Sequence, residues 1–268
     1  MYLEFFGLKE EPFSLSPDTR FMYLTQEHKE ALARALLTID RGRGLFVIYG
    51  DIGTGKTMLS VKLLEELRLR DYKVGLIPTP SFNTENQLLK EIIREFELEE
   101  EGRSKPELMG IIHSFLIKSF DVGDRIVLMI DEAQGLSRGM LEVLRLLLNF
   151  ETKSGKMLQL VLIGQNELRD NVRAKANLRS RVAAAATLDN LMYEDVRDLI
   201  YHRLRVSGAT HNRTFPEPII QQIYTASRGI PRDISIIADA ALMRAYLSGK
   251  KIIDEGILEA ALRDWEAA

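Results

Sequence analysis

Five short apolar runs mark the first two thirds of the chain: GLFVIYG at 44–50, KVGLIPT at 73–79, RIVLMID at 125–131, LQLVLIG at 158–164 and the Ala-rich RVAAAATL at 181–188. Unbroken runs of this length indicate strands covered on both faces, because a half-exposed strand alternates apolar and polar positions. Helical patterns separate them. One helix is expected from Thr25, with Ala31, Leu32, Ala35, Leu36 and Ile39 on one face. A second spans roughly 55–70, and a third opens at Thr84-Glu85-Asn86-Gln87, where Thr and Gln three residues apart can cap each other's backbone N–H. Two more follow Pro106 and Ser137. Strands alternating with helices predict the α/β class, with a parallel five-stranded sheet flanked by helices.

The segment before the first helix, with Pro12, Pro17 and Asp18, reads as loop, and ELEEEGRSKPE at 97–107 reads as an exposed connector. The Met and Leu residues at 140–148 read as core. Past residue 189 the strand signals stop. Helical segments follow near 192–206, 217–227, 232–248 and 254–265, separated by Gly208, Pro216, Gly229-Ile230-Pro231 and Gly249. The expected organisation is an α/β domain over 1–189, including the N-terminal segment, and a small all-helical domain over 190–268.

Composition narrows the function classes. The 268 residues are 46% hydrophobic and 28% charged, the balance of an ordinary globular protein with a sizeable core. There is no cysteine, which excludes thiolate metal sites, cysteine nucleophiles and disulfides. The net charge of −3 leaves only a local basic surface available to nucleic acid. The acidic start MYLEFFGLKEEPF lacks the pattern of a signal peptide, and no apolar stretch is long enough to span a membrane, so a cytoplasmic location is expected.

Two motifs carry chemistry. Gly50-Asp51-Ile52-Gly53-Thr54-Gly55-Lys56-Thr57 fits G-x-x-x-x-G-K-[ST], between an apolar strand and a helical run. Its glycines let successive N–H groups turn toward phosphate oxygens, and the helix start adds its dipole. Lys56 is expected on the β- and γ-phosphates and Thr57 on Mg²⁺. The second motif is the strand ending in Asp131 and Glu132. Asp131 suits a Mg²⁺-holding carboxylate, and Glu132 suits a base or orienter for the attacking water. Adjacent residues can point apart, which two separate tasks require. Together the motifs imply a P-loop ATPase with ATP and Mg²⁺ as ligands.

Longer stretches resemble the ExeA type, or general secretion pathway protein A family, of AAA+ ATPases. They are FFGLKEEPFSLSPDTRFMYLTQEHKEAL, GDIGTGKT, IDEAQGLSRGMLEVLRLLLNFET, LVLIGQNEL, YHRLRVSGA and SRGIPRDI, spread over residues 1 to 250. The resemblance implies an AAA+ core with a helical lid, and roles for further residues. Gln165 matches the sensor-1 residue that orients water, with Asn166 as the alternative; the usual pattern has proline at 166. Arg181, with Arg179 second, lies where AAA+ proteins carry the arginine finger that acts on the next subunit, which implies a homo-oligomer, ring or filament. Arg232 in Gly229-Ile230-Pro231-Arg232 matches sensor 2, on the nucleotide phosphates. His28 lies where the family forms its adenine pocket, or faces solvent. Secretion members continue into a transmembrane helix and a peptidoglycan-binding domain. This chain stops after the lid, so the expectation is the ATPase without the cell-wall part.

The same core serves secretion or envelope assembly, transposition regulators of the Mu B and TnsC type that bind DNA and recruit a transposase, and slow nucleotide switches. The N-terminal block favours secretion with a protein partner. The basic stretch Arg169, Arg173, Lys175, Arg179 and Arg181 is either a DNA contact or a solvated helix.

Overall fold

The computed structural model describes residues 2–16, 18–99, 104–152 and 155–267. Pro17 and residues 100–103 of the expected connector lie outside the described residues. The chain divides into two compact units, one of Gln26–Ile52 and Leu59–Leu188, the other of Met1–Thr25, Gly53–Met58 and Asp189–Ala268.

The larger unit is built on five parallel strands: β1 (Leu45–Gly50), β2 (Tyr72–Ile77), β3 (Arg125–Ile130), β6 (Leu158–Gly164) and β7 (Val182–Leu188). They are ordered β2-β3-β6-β1-β7. A two-residue hairpin, β4 (Glu151–Thr152) and β5 (Gly155–Lys156), stands apart from this sheet. Position in the sheet explains composition. Every residue of the central strands β1 and β6 is buried, and all of β3 except Arg125. The edge strands β2 and β7 mix buried and exposed positions. That is why β7 tolerates five small residues where an inner strand needs bulky ones.

The sheet is flanked by α2 (Gln26–Asp40), α3 (Lys56–Arg68), α4 (Glu85–Glu95), α5 (Lys105–Asp121), α6 (Arg138–Leu147), α7 (Asn166–Ala174) and α8 (Ala176–Arg179). Their starts follow local chemistry. Thr84 and Ser104 each close a reciprocal capping box, with Gln87 and Glu107, and the Ser137 hydroxyl accepts from the Met140 N–H. The apolar face of α6, including Met140, Leu141, Leu144 and Leu147, is buried in the core as the sequence pattern predicts.

The smaller unit has its own core. Four helices form it: α9 (Tyr193–Val206), α10 (Glu217–Ser227), α11 (Pro231–Leu247) and α12 (Glu255–Glu266). Residues 2–25 pack here. The sequence pattern reads this segment as loop, but it contains α1 (Tyr2–Phe6) and a 3-10 turn at Thr19–Phe21. Phe13 is buried with its ring edge-on to Phe215, 5.7 Å between centroids. The Lys9 N–H donates to the Ser207 carbonyl at 2.7 Å. Arg203 Nη1 donates to the Pro12 and Ser14 carbonyls at 3.3 and 3.1 Å. Burial pushes the Arg203 guanidinium down to about 10, the cost of seating a charge against backbone carbonyls alone. No helix among the described residues is long and apolar enough to cross a membrane.

Candidate active site

In the larger unit, three parallel strands end side by side and deliver the expected residues. β1 runs into Gly50, Asp51 and Ile52, β3 into Asp131 and Glu132, and β6 into Gln165. The carboxyl ends of parallel strands are where open α/β sheets bind ligands. Asp131 is buried, its N–H held by the Ile77 carbonyl at 2.9 Å. One carboxylate oxygen accepts from the Glu132 N–H at 2.9 Å, and the other from the Ser60 hydroxyl of α3 at 3.4 Å. Glu132 adopts the left-handed conformation, φ 50 and ψ 34, which is uncommon for a residue with a side chain. The two adjacent carboxylates have separate surroundings, one buried and one half-exposed.

Glu132 is held by two glutamines. Gln134 Nε2 donates to Glu132 Oε2, and Gln165 Nε2 reaches the same oxygen at 3.4 Å. The Gln134 amide oxygen accepts from the Gln165 backbone N–H at 3.1 Å, which ties β6 to the carboxylate. Gly164 makes room for this: a Cβ there would lie 2.6 Å from the Gln134 oxygen. Sequence reasoning missed Gln134. Its only signal was its place two residues after Glu132. Asn166, the alternative to Gln165, turns elsewhere and donates to Asp51 Oδ1. His28 is buried at 5% exposure, so the solvent-facing option is corrected. It sits on the core side of amphipathic α2, beside Ala31 and Ala35 in the buried set. Arg179 ends α8 and Arg181 lies between α8 and β7, and neither forms an ion pair among the described residues.

The smaller unit holds the other part of the phosphate loop. Gly53 and Gly55 take φ +82 and +93, values open to glycine and strained for other residues. Lys56 begins α3, and both Lys56 and Thr54 are buried. Gly53 also lies against the start of α11. A Cβ on it would meet Ile230 Cγ2 at 2.7 Å and Arg232 Cβ at 3.2 Å, and the Arg232 N–H points to the Gly53 carbonyl at 3.4 Å. The Gly229-Ile230-Pro231-Arg232 motif thus packs on the loop. Pro231 takes the first helical position, where a missing N–H costs nothing. Gly229 takes φ +74, and its carbonyl accepts from the Leu191 N–H at 2.8 Å. A Cβ there would sit 2.1 Å from the Leu191 carbonyl oxygen. Gly229→Ala is therefore expected to cost about 2 kcal/mol or more and to lower the melting temperature by roughly 5 °C in scanning calorimetry. An unchanged melting temperature would mean that the turn relaxes freely.

Residues 21–172 match the AAA domain family. The chain belongs to that family. The AAA domain is joined to the rest of a sequence that is 38% identical over 264 residues to General secretion pathway protein A of Aeromonas hydrophila. The match covers 97% of this chain and 48% of that protein, so the chain spans about half the length of the curated relative. Among solved structures, Cdc6p from Pyrobaculum aerophilum is similar with a TM-score of 0.74 at 18% identity, over 94% of this chain and 70% of that one. The Aeropyrum pernix ORC2 protein, in ADPNP–ADP complexes, has a TM-score of 0.68 at 16% identity, over 97% and 72%. The Thermotoga maritima RuvB Holliday junction branch migration motor has 0.60 at 16%, over 90% and 70%. These likenesses show the AAA+ fold, the five-stranded parallel sheet with its helices.

Proposed function

We propose that the chain binds ATP with Mg²⁺ at Gly50–Thr57 and hydrolyses it between neighbouring subunits of a ring or filament. The observation that carries this reading is the carboxylate of Glu132 held by Gln134 and Gln165 next to the buried Asp131. A base for water needs a fixed position and solvent access, and a Mg²⁺-holding carboxylate needs a fixed orientation. The residues fit the ligand. Positive-φ glycines let the loop backbone turn its N–H groups inward, and a hydroxyl and a carboxylate suit a hard cation.

In this reading Gly50, Asp51, Ile52, Gly53, Thr54 and Gly55 wrap the phosphates with backbone N–H groups, and Lys56 neutralises the β- and γ-phosphates. Thr57 and Asp131 hold Mg²⁺, which when bound supplies charge neutralisation on the phosphate oxygens. Glu132 takes the proton of the attacking water, Gln165 orients that water, and Arg232 contacts the phosphates from the lid. The larger unit acts as the nucleotide-binding domain and 190–268 as the lid, whose core also takes in the N-terminal segment expected with the former. Arg181 completes the site of the next subunit.

Similarity to General secretion pathway protein A supports coupling of this cycle to the assembly of a secretion or envelope complex through a protein partner. Use of ATP and a chain without cysteine are consistent with work in the cytoplasm. Arg181→Ala tests the trans arrangement. ATP affinity should stay at the wild-type value while turnover falls about 10³-fold or more. Hydrolysis at the wild-type rate would remove Arg181 from the role.

A further inference from the structure

The basic stretch at 169–181 separates in three dimensions. Lys175 donates to the Arg138 carbonyl and Arg181 lies apart, but Arg169, Arg173 and Arg179 line one cavity of about 440 Å³ in the larger unit. Val172, Val182, Ala185, Thr187 and Tyr49 complete its wall, and none of the described carboxylates does. Glu167 and Asp170, on the same helix as two of the arginines, are absent from the lining. None of the three arginines forms an ion pair among the described residues. Arg169 is fixed: its Nη2 donates to the Thr187 hydroxyl at 2.9 Å and its guanidinium lies 5.0 Å from the Tyr49 ring centre. Arg173 and Arg179 are exposed at the rim.

We propose that this trough, beside edge strand β7, binds the phosphate backbone of duplex nucleic acid. Three guanidiniums without a counter-charge repel one another, and an opening lined by one sign of charge concentrates the opposite sign. Arg169 and Arg173 are one helical turn apart, about 6 Å along α7, so they present charge along a line and not at a point. That suits successive phosphates better than one small anion. The wall has no stacking platform, because the Tyr49 ring is buried at 7% exposure beneath Arg169. Base stacking is what gives single strands their advantage on such surfaces. The trough therefore reads backbone and not base, and takes duplex irrespective of sequence. This surface does not depend on the hydrolysis reading, and Arg169 and Arg173, the two residues varied below, are outside the ATP machinery proposed above.

The test is fluorescence anisotropy of the full chain with two labelled duplexes of unrelated sequence, from 50 to 200 mM NaCl, with and without ATP-Mg²⁺. Wild type should bind both duplexes alike. Arg169→Gln with Arg173→Gln should weaken binding about tenfold or more at 50 mM and reduce the log–log salt slope by about 2. Arg169→Lys with Arg173→Lys should restore the slope. Binding of a fluorescent ATP analogue should be unchanged in both variants, which separates failure here from failure of the ATPase reading. Absence of duplex binding by wild type at 50 mM, or an unaltered slope in the Gln variant, would overturn the proposal. So would complete displacement of the duplex by stoichiometric pyrophosphate, which would mark the trough as a small-anion site.

Discussion

Lys56→Ala is expected to abolish nucleotide binding, raising the dissociation constant for ATP at least about 100-fold in isothermal titration calorimetry. The size follows from the site. Lys56 opens α3 directly after two positive-φ glycines, and it is only 5% exposed. A charge meeting phosphate in such a place is poorly screened by water, and removing one partner of a buried charge pair costs about 2–5 kcal/mol. Backbone N–H groups and the helix dipole remain, so weak affinity can persist at millimolar ATP. The fold should survive, because the flanking strand β1 and helix α3 are held by apolar residues such as Val47, Leu59 and Leu63. Unchanged circular dichroism with lost binding is the predicted pair of results. Wild-type affinity would mean that the loop does not cradle phosphate.

The second large effect is expected from Glu132→Gln. The variant should bind ATP as wild type does while turnover falls about 10²–10⁴-fold, the range for loss of a positioned general base. The substitution keeps shape and an acceptor oxygen for Gln134 and Gln165, so the network around it can persist without its charge. It also leaves the left-handed backbone at 132 in place. Because nucleotide stays bound, the assembled oligomer should accumulate, and electron microscopy of the variant with ATP should show it. A single-turnover rate equal to wild type would move the base to another group.

The sheet and the motifs were legible for one reason: inner parallel strands are buried on both sides, so their sequences are continuous apolar runs. β1, β3 and β6 fall within those runs, and even Ala-rich β7 is a strand at 182–188. Helix starts were legible where capping is local, as at Thr84 and Ser137. Long-range contacts were not. Nothing in FFGLKEEPF says that Phe13 packs on Phe215, or that Arg203 holds the Pro12 and Ser14 carbonyls. Gln134 was overlooked because its meaning depends on Gln165, a strand away. The five basic residues at 169–181 read as one stripe, yet their side chains go to three places. Helical spacing could group Arg169 with Arg173, but only the packing of α8 against α7 brings in Arg179.

The central claim is hydrolysis at a site completed by a neighbour, and complementation of two inactive variants tests it most directly. Lys56→Ala retains the Arg181 finger but cannot bind ATP; Arg181→Ala binds ATP but offers no finger. In a randomly mixed 1:1 oligomer with head-to-tail interfaces, about a quarter of the interfaces join an Arg181→Ala site to a finger from Lys56→Ala. The mixture should recover up to about that fraction of wild-type turnover, while each variant alone is inactive. A mixture as inactive as its components, under conditions where both co-assemble, would contradict the claim.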